Sequence, residues 1–451
     1  MNKNNICSNP AFGLLTIITI FPIFIIGYFY FYISINAWFW TEDFAFYERY
    51  LTLIDFESLF HPELNSGRFV SRNLYWYLAD HFFGKNSEYY YAFNFFIIAS
   101  TSYLIYKIFS KRHGAYFGTV SALLYFCLPS VIGCYVWLSN SQHLLPHFFV
   151  VLFIFYYIEQ VDFANGKLKL SSFFILILIF AFGLSSNVFG GLILCLPCWY
   201  IFADSKIRKN PLHWLLIVLC LILLLIFIVK LNNVTHNSLY ERSFSFDTIR
   251  TNLNYYFRND YLSLFWLIST FSGAFISWRS NRFFEAWLFL ASPVFYLPFA
   301  FLQYQRYLNY GALTYLFFFL ACWDMCFWFM NEKARQLIPL LGAITSIVIL
   351  WFAMPQVRVH TENPISSELR KQVQQLKTFN KFEGQALKNY CFRPATPVEK
   401  DAVPMEWYAS FYGLAFRLFV DPTKNYSLSR ESQACDITFI FDGPNLKKAQ
   451  E

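Results

Sequence analysis

The chain has 451 residues, 57% of them hydrophobic and 14% charged, and its 57 Phe, 31 Tyr and 13 Trp bring the aromatic share to 22%. A soluble domain carries about 45–50% apolar and about 25% charged residues, so this composition excludes a soluble enzyme, a disordered chain and a nucleic-acid binder. The formal charge of +7 and the ten Cys fit the same class: the basic residues fall where loops would be, and most thiols lie inside apolar runs, as small hydrophobes do.

The first apolar run, Ala11 to Ile35, follows a short polar start with Lys3 and ends on bulky Phe and Tyr. A signal peptide has a shorter apolar region and a small-residue cleavage site, so this run reads as an uncleaved anchor. Further runs begin near Tyr90, Ala115, His143, Ser171, Val188, Leu212, Tyr261, Phe284, Tyr310 and Leu337. At roughly 20 residues per crossing they predict a polytopic α-helical membrane protein of about 11 spans.

Charge tests this map, because Lys and Arg gather on short cytoplasmic loops. With the amino terminus inside, the inner loops hold Lys111-Arg112, Lys167/Lys169, Lys206/Arg208/Lys209, Arg279/Arg282 and Lys333/Arg335. The short outer loops Gly133–Gln142, Ser185–Asn187 and Phe301–Asn309 hold only Arg306. Long segments translocate whatever their charge, which places 36–89, 231–260 and the tail outside. The chain divides into a membrane module, 1–354, with its large first outer loop at 36–89, and a small mixed α/β domain, 355–451. In that domain Ile365, Leu369, Val373 and Leu376 recur at helical spacing, and Ile437 to Phe441 reads as a strand.

The first outer loop is the richest in chemistry. It opens on Trp38-Phe39-Trp40-Thr41-Glu42-Asp43-Phe44, followed by Tyr47. Two adjacent carboxylates among aromatics at a membrane surface suit a general base working on a sugar, with rings such as Trp40 and Tyr47 to stack on it. The blander alternative is an aromatic belt with ordinary solvated acids. Next comes Gly67-Arg68-Phe69, then Arg72, leading into Asn73–Phe83, a stretch too short and charged to cross and therefore read as an interfacial helix. Arg68 and Arg72 are four residues apart and either grip a phosphate or snorkel to headgroups. Trp137 and Asn140, on another outer loop, could bind sugar hydroxyls or simply anchor a polar turn. Arg306 stands against the loop charge bias, which favours a functional role.

The tail has two Cys, Cys391 and Cys435, on the oxidising side of this map, so a disulfide between them is expected; the alternative is a pair of free buried thiols. No phosphate-cradling glycine loop, nucleophile elbow or paired metal-spaced His motif occurs.

The many spans and the acidic pair at the head of the first outer loop resemble the GT-C superfamily of membrane glycosyltransferases, with Glu42-Asp43 in the position of the family's acidic motif. More narrowly, Gly67-Arg68-Phe69, the uncleaved first span and the outer tail are similar to the bacteriophage- and prophage-encoded serotype-converting O-antigen glucosyltransferases. Those relatives often carry Asp-Asp or Asp-x-Asp where this chain has Glu-Asp, which leaves open which acid is the base. The resemblance implies an inverting glucosyl transfer in the bacterial inner membrane, on the periplasmic face. The donor would be undecaprenyl-phosphate glucose, supplied by donor-synthesising and flippase partner proteins, and the acceptor the O-antigen of lipopolysaccharide. Arg68, Arg72 and Arg306 would hold the donor phosphate. No cofactor is implied, although adjacent carboxylates could hold a divalent ion. The rivals are a related transferase with a lipid A or protein acceptor, and a flippase or transporter; the latter predicts repeated broken helices, of which only Ser185–Asn187 is a candidate.

Overall fold

The computed structural model describes residues 10–39, 43–45, 59, 68–163, 166–232, 243, 245–302, 311–330, 337–362, 367–394, 410, 413–428, 435–442 and 445–449. Lipid offers no partner to a bare N–H or C=O, so each apolar run satisfies its backbone internally and coils. α1 (Pro10–Asn36) leads to a π-helical turn at Phe69–Leu74 that runs into α2 (Tyr75–Phe83). There follow α3 (Ser87–His113), α4 (Ala115–Phe126), α5 (Pro129–Val136), α6 (Ser141–Ile158) and α7 (Leu170–Ser186). A 3-10 stretch, Val188–Leu194, enters α8 (Cys195–Ala203), and the short α9 (Ser205–Arg208) precedes α10 (Pro211–Asn232). α11 (Phe246–Phe257), α12 (Asp260–Arg279), α13 (Phe283–Ala300), α14 (Ala312–Phe329) and α15 (Ile338–Glu362) complete the bundle.

Among the described residues, 8 helices are long and apolar enough to cross a membrane, or 9 if the bent pair α4–α5 counts as one span. The other two expected runs, Leu170–Ser186 and Val188–Ala203, are helical but shorter. The α4–α5 bend of 51° has a local cause. Pro129 occupies the first turn of α5, and Leu128 before it is extended, as a residue preceding proline tends to be. Close helix approach is visible at Gly273, where an added Cβ would lie 2.5 Å from the Phe289 ring. Trp266 Nε1 donates to Ser292 Oγ at 3.0 Å and Ser292 Oγ to the Thr314 carbonyl at 2.8 Å, joining α12, α13 and α14.

α15 continues through Pro355 to Glu362, beyond the expected domain boundary. The small domain that follows contains α16 (Ser367–Phe382), β1 (Asn389–Pro394), α17 (Leu414–Phe419), β2 (Asn425–Leu428), β3 (Ile437–Asp442) and β4 (Asn445–Lys448). Its sheet has the order β2-β1-β3-β4, with β1 parallel to both neighbours and β4 antiparallel to β3. Leu369, Val373 and Leu376 form the buried stripe of α16, and Phe379 meets Phe439 of β3 at 5.2 Å. Phe416 of α17 stacks on Phe392 of β1 at 4.7 Å. Cys391 and Cys435 are joined by a disulfide with Cα atoms 5.8 Å apart. The domain rests on the bundle: Arg370 lies within 3.4 Å of both the Ile35 carbonyl and Glu88 Oε1.

Candidate functional site

α1 ends at Asn36, and the chain leaves it through Ala37, Trp38 and Phe39, all buried. The next described residues, Asp43 to Ala45, form a helical turn whose Asp43 is 0% exposed. A buried carboxylate needs donors. Asp43 Oδ1 accepts the Ser139 N–H at 2.7 Å and also the Ser139 hydroxyl. Ser139 lies in the 3-10 turn Leu138–Asn140 that opens α6, so the acidic motif is fastened to the entrance of a different helix. Tyr75 and Tyr91 are near enough to feel the charge of Asp43. Burial, foremost, holds the Tyr75 hydroxyl in its neutral form, where it donates to Asn94 Oδ1 at 3.0 Å. Tyr91 in turn lies within hydrogen-bond reach of the carbonyls of Trp38 and Val136, at 3.2 and 3.1 Å, tying the loop's start to the end of α5.

The second half of the same loop docks beside it. Arg68, half-buried, donates through Nη1 to Gln142 Oε1 in the first turn of α6. His143, the next residue, feels the Arg68 charge and lies parallel to Phe189 at 6.3 Å. Ser71 donates to the Ser186 carbonyl at the end of α7. Arg72 is half-buried, and its backbone N–H bonds the Arg68 carbonyl at 3.0 Å. The turn is π-helical, not the α-helical start that the spacing of the two arginines suggested.

The site that sequence sketched is therefore assembled in part. Asp43 and Arg68 converge on the turn 138–142, and Asn140 joins them, buried, with an Nδ2 that has no partner among the described residues. Trp137 is half-buried at the corner between α5 and that turn. Glu42, Trp40, Tyr47, Gly67 and Arg306 lie outside the described residues. Trp38 and Phe44, the aromatics that flank the acidic pair, offer no open face to a sugar: they are buried in an aromatic cluster, 5.6 Å apart, because large rings gain more from packing than from water. Sequence reasoning missed Ser139 as a partner of Asp43 and Gln142 as a partner of Arg68, although both stand in the loop that carries Trp137 and Asn140. A serine ahead of a helix signals a cap, but nothing local tells that it will hold an acid in another loop.

A second ionic cluster sits at the far end of α3. Arg112 donates to Glu285 Oε1 at 2.6 Å, and Arg282 to Glu285 Oε1 at 2.8 Å and Asp324 Oδ1 at 3.1 Å; His113 also contacts Asp324. These side chains line or adjoin a cavity of about 750 Å³ whose wall includes Lys111, Tyr200, Asp204 and Trp328. His113, Glu285 and Asp324 bring three ligand-type atoms within 4.8 Å of one another. Two guanidiniums already balance the two carboxylates, so an added divalent ion would meet like charge, and the cluster reads as a staple between α3, α13 and α14.

No protein-family model matches the chain, and no curated protein matches it.

Proposed function

We propose that the chain is a membrane glycosyltransferase of the GT-C kind. In this reading it moves glucose from undecaprenyl-phosphate glucose to the O-antigen of lipopolysaccharide at the periplasmic face of the inner membrane. The observation that carries the proposal is the placement of Asp43. A carboxylate of an acidic pair, a few residues past a membrane helix, is fixed to the same turn, 138–142, that Arg68 bonds, at the end of the bundle that bears the sheet domain.

The chemistry divides between the two acids. Asp43 is enclosed and directed at Ser139, which suits an orienting role. Proton removal then falls to Glu42. As the acceptor hydroxyl loses its proton to that carboxylate, its oxygen bonds to the anomeric carbon. The bond from that carbon to the lipid phosphate breaks on the opposite face, which inverts the linkage and releases undecaprenyl phosphate. Arg68, with Arg72 and Arg306, stabilises the charge growing on the leaving phosphate; Gln142 holds the Arg68 fork in place. Asn140 Nδ2, buried without an acceptor among the described residues, is a donor available to a sugar hydroxyl.

The decisive experiment is structural analysis of O-antigen from cells with and without the gene. An added glucosyl branch supports the reading; unchanged glycan, with glucose found on lipid A or protein, redirects it to those acceptors. Orientation is tested separately: reporters fused after Lys209 and after Glu451 should report inside and outside, and swapped readings would remove the site from the periplasmic face.

A further inference from the structure

The small domain does more than sit on the bundle. The carboxyl-terminal end of α17 reaches the first loop through Phe419. Its ring lies 4.9 Å from Trp38, 5.7 Å from Phe39 and 6.0 Å from Phe44. Those three rings also pack on one another, Trp38 against Phe44 and Phe39 against Phe44, and Phe39 continues to Tyr90 of α3 at 5.3 Å. Phe44 is the immediate neighbour of Asp43, and Trp38 and Phe39 are the last described residues before the acidic motif. Lys85, in the turn between α2 and α3, fastens the wedge from the side. Its ammonium donates to the Leu418 carbonyl at 2.7 Å and lies 5.2 Å over the Phe419 ring. Within the domain, α17 is held by the Phe416–Phe392 stack, so Phe419 projects from a braced support rather than a free loop.

We propose that Phe419 is a positioning residue for the acidic motif: an aromatic wedge from the outer domain that seats Trp38, Phe39 and Phe44 and thereby holds Asp43 against Ser139. This rests on the glycosyltransferase reading for its catalytic consequence, but not for its geometry. Each side of Asp43 then has a separate support, with Ser139 bonding its carboxylate and Phe419 clamping its backbone neighbours. The outer domain becomes part of the active site without touching substrate. Misplacement of about 1 Å by a residue remote from the chemistry can cost about 100-fold in rate.

Two measurements on the full chain in native membranes test the proposal. The first is glucosyl transfer by Phe419→Ala, Phe419→Tyr and Lys85→Met, with polyprenyl-phosphate glucose as variable substrate. Phe419→Ala should lower kcat about 10–100-fold at unchanged KM, Phe419→Tyr should restore it, and Lys85→Met should fall between. The second needs no activity: the thiol introduced by Asp43→Cys, buried in the native seat, should resist an impermeant maleimide and become labelled when Phe419→Ala is added. Normal kcat in Phe419→Ala overturns the proposal, as does a loss confined to KM or to membrane level, or protection of the introduced thiol that survives removal of the wedge. If unmodified membranes transfer no glucose to any acceptor while that thiol is still unmasked by Phe419→Ala, the wedge stands and the glycosyltransferase reading fails.

Discussion

The two ends of α3 hold buried carboxylates with different kinds of donor. At its start, near the sheet domain, Asp43 accepts from the neutral N–H and hydroxyl of Ser139. At its end, Glu285 and Asp324 are gripped by Arg112, Arg282 and His113. A neutral donor such as the Ser139 N–H fixes where a carboxylate points without itself cancelling the charge. A guanidinium cancels that charge at the same time as it fixes the geometry. The first kind of contact orients a carboxylate, and the second also fastens it. A helix of 27 residues separates them, about 40 Å of rise, so each can be altered with little effect on the other.

That contrast can be broken most sharply at the acids. Glu42→Gln should reduce glucosyl transfer by about 100- to 10,000-fold, the usual cost of losing a general base, with membrane level unchanged. Asp43→Asn keeps the shape and should cost less than Glu42→Gln. Normal transfer in both variants would remove the catalytic assignment. At the other end, Arg282→Ala leaves Glu285 and Asp324 short of a counter-charge and should destabilise the protein by about 3–5 kcal/mol. The readout is thermal aggregation in detergent, with transfer per surviving molecule within about twofold of normal; a selective loss of transfer would mean that the far cluster is more than a staple.

The sheet domain provides the next test. Its disulfide closes a loop with a sequence separation of 44, which is worth up to about 4 kcal/mol in the chain-entropy picture. In denatured protein Cys391 and Cys435 should react with maleimide only after reduction, whereas the buried bundle thiols Cys127, Cys134 and Cys220 should react without it. Equal labelling of the tail pair without reductant would place this end of the bundle outside an oxidising compartment. The smallest effect is expected from Arg→Lys at positions 68, 72 and 306. Lysine keeps the charge and loses the fork, so a true phosphate ligand should show roughly a tenfold fall in transfer, or about 1.4 kcal/mol. Three normal Lys variants would put the phosphate elsewhere.

What could be read from sequence follows the same physics. The helical runs were legible because lipid permits a run of apolar residues little else, and the strand at Ile437 because its alternation faces a packed helix. The count was less so: α7 and the stretch from Val188 are helical yet shorter than a full crossing, and the α4–α5 run is bent at Pro129. α11 was not foreseen. Part of its hold on the bundle comes through Asn252, whose amide lies within 3.1 Å of the Phe299, Ala300 and Leu302 carbonyls, a polar contact that hydropathy cannot show. At the site, Asp43 and Arg68 could be picked out by residue type and place. Ser139 could not be matched to Asp43, nor Phe419 to Trp38, because such pairings across distant segments leave no periodic trace.

The reach of Phe419 also sets an order of events during biosynthesis. The loop with Asp43 is made early, and the helix that seats it leaves the ribosome only after a further stretch of roughly 375 residues, a delay of about 20–75 s at 5–20 residues per second. Through that interval Trp38, Phe39 and Phe44 are apolar surface without the ring that will cover them. Whatever chemistry the acidic motif performs, its final shape is withheld until the sheet domain has itself been delivered and folded. A nascent chain stalled within the bundle would thus be inserted but unfinished.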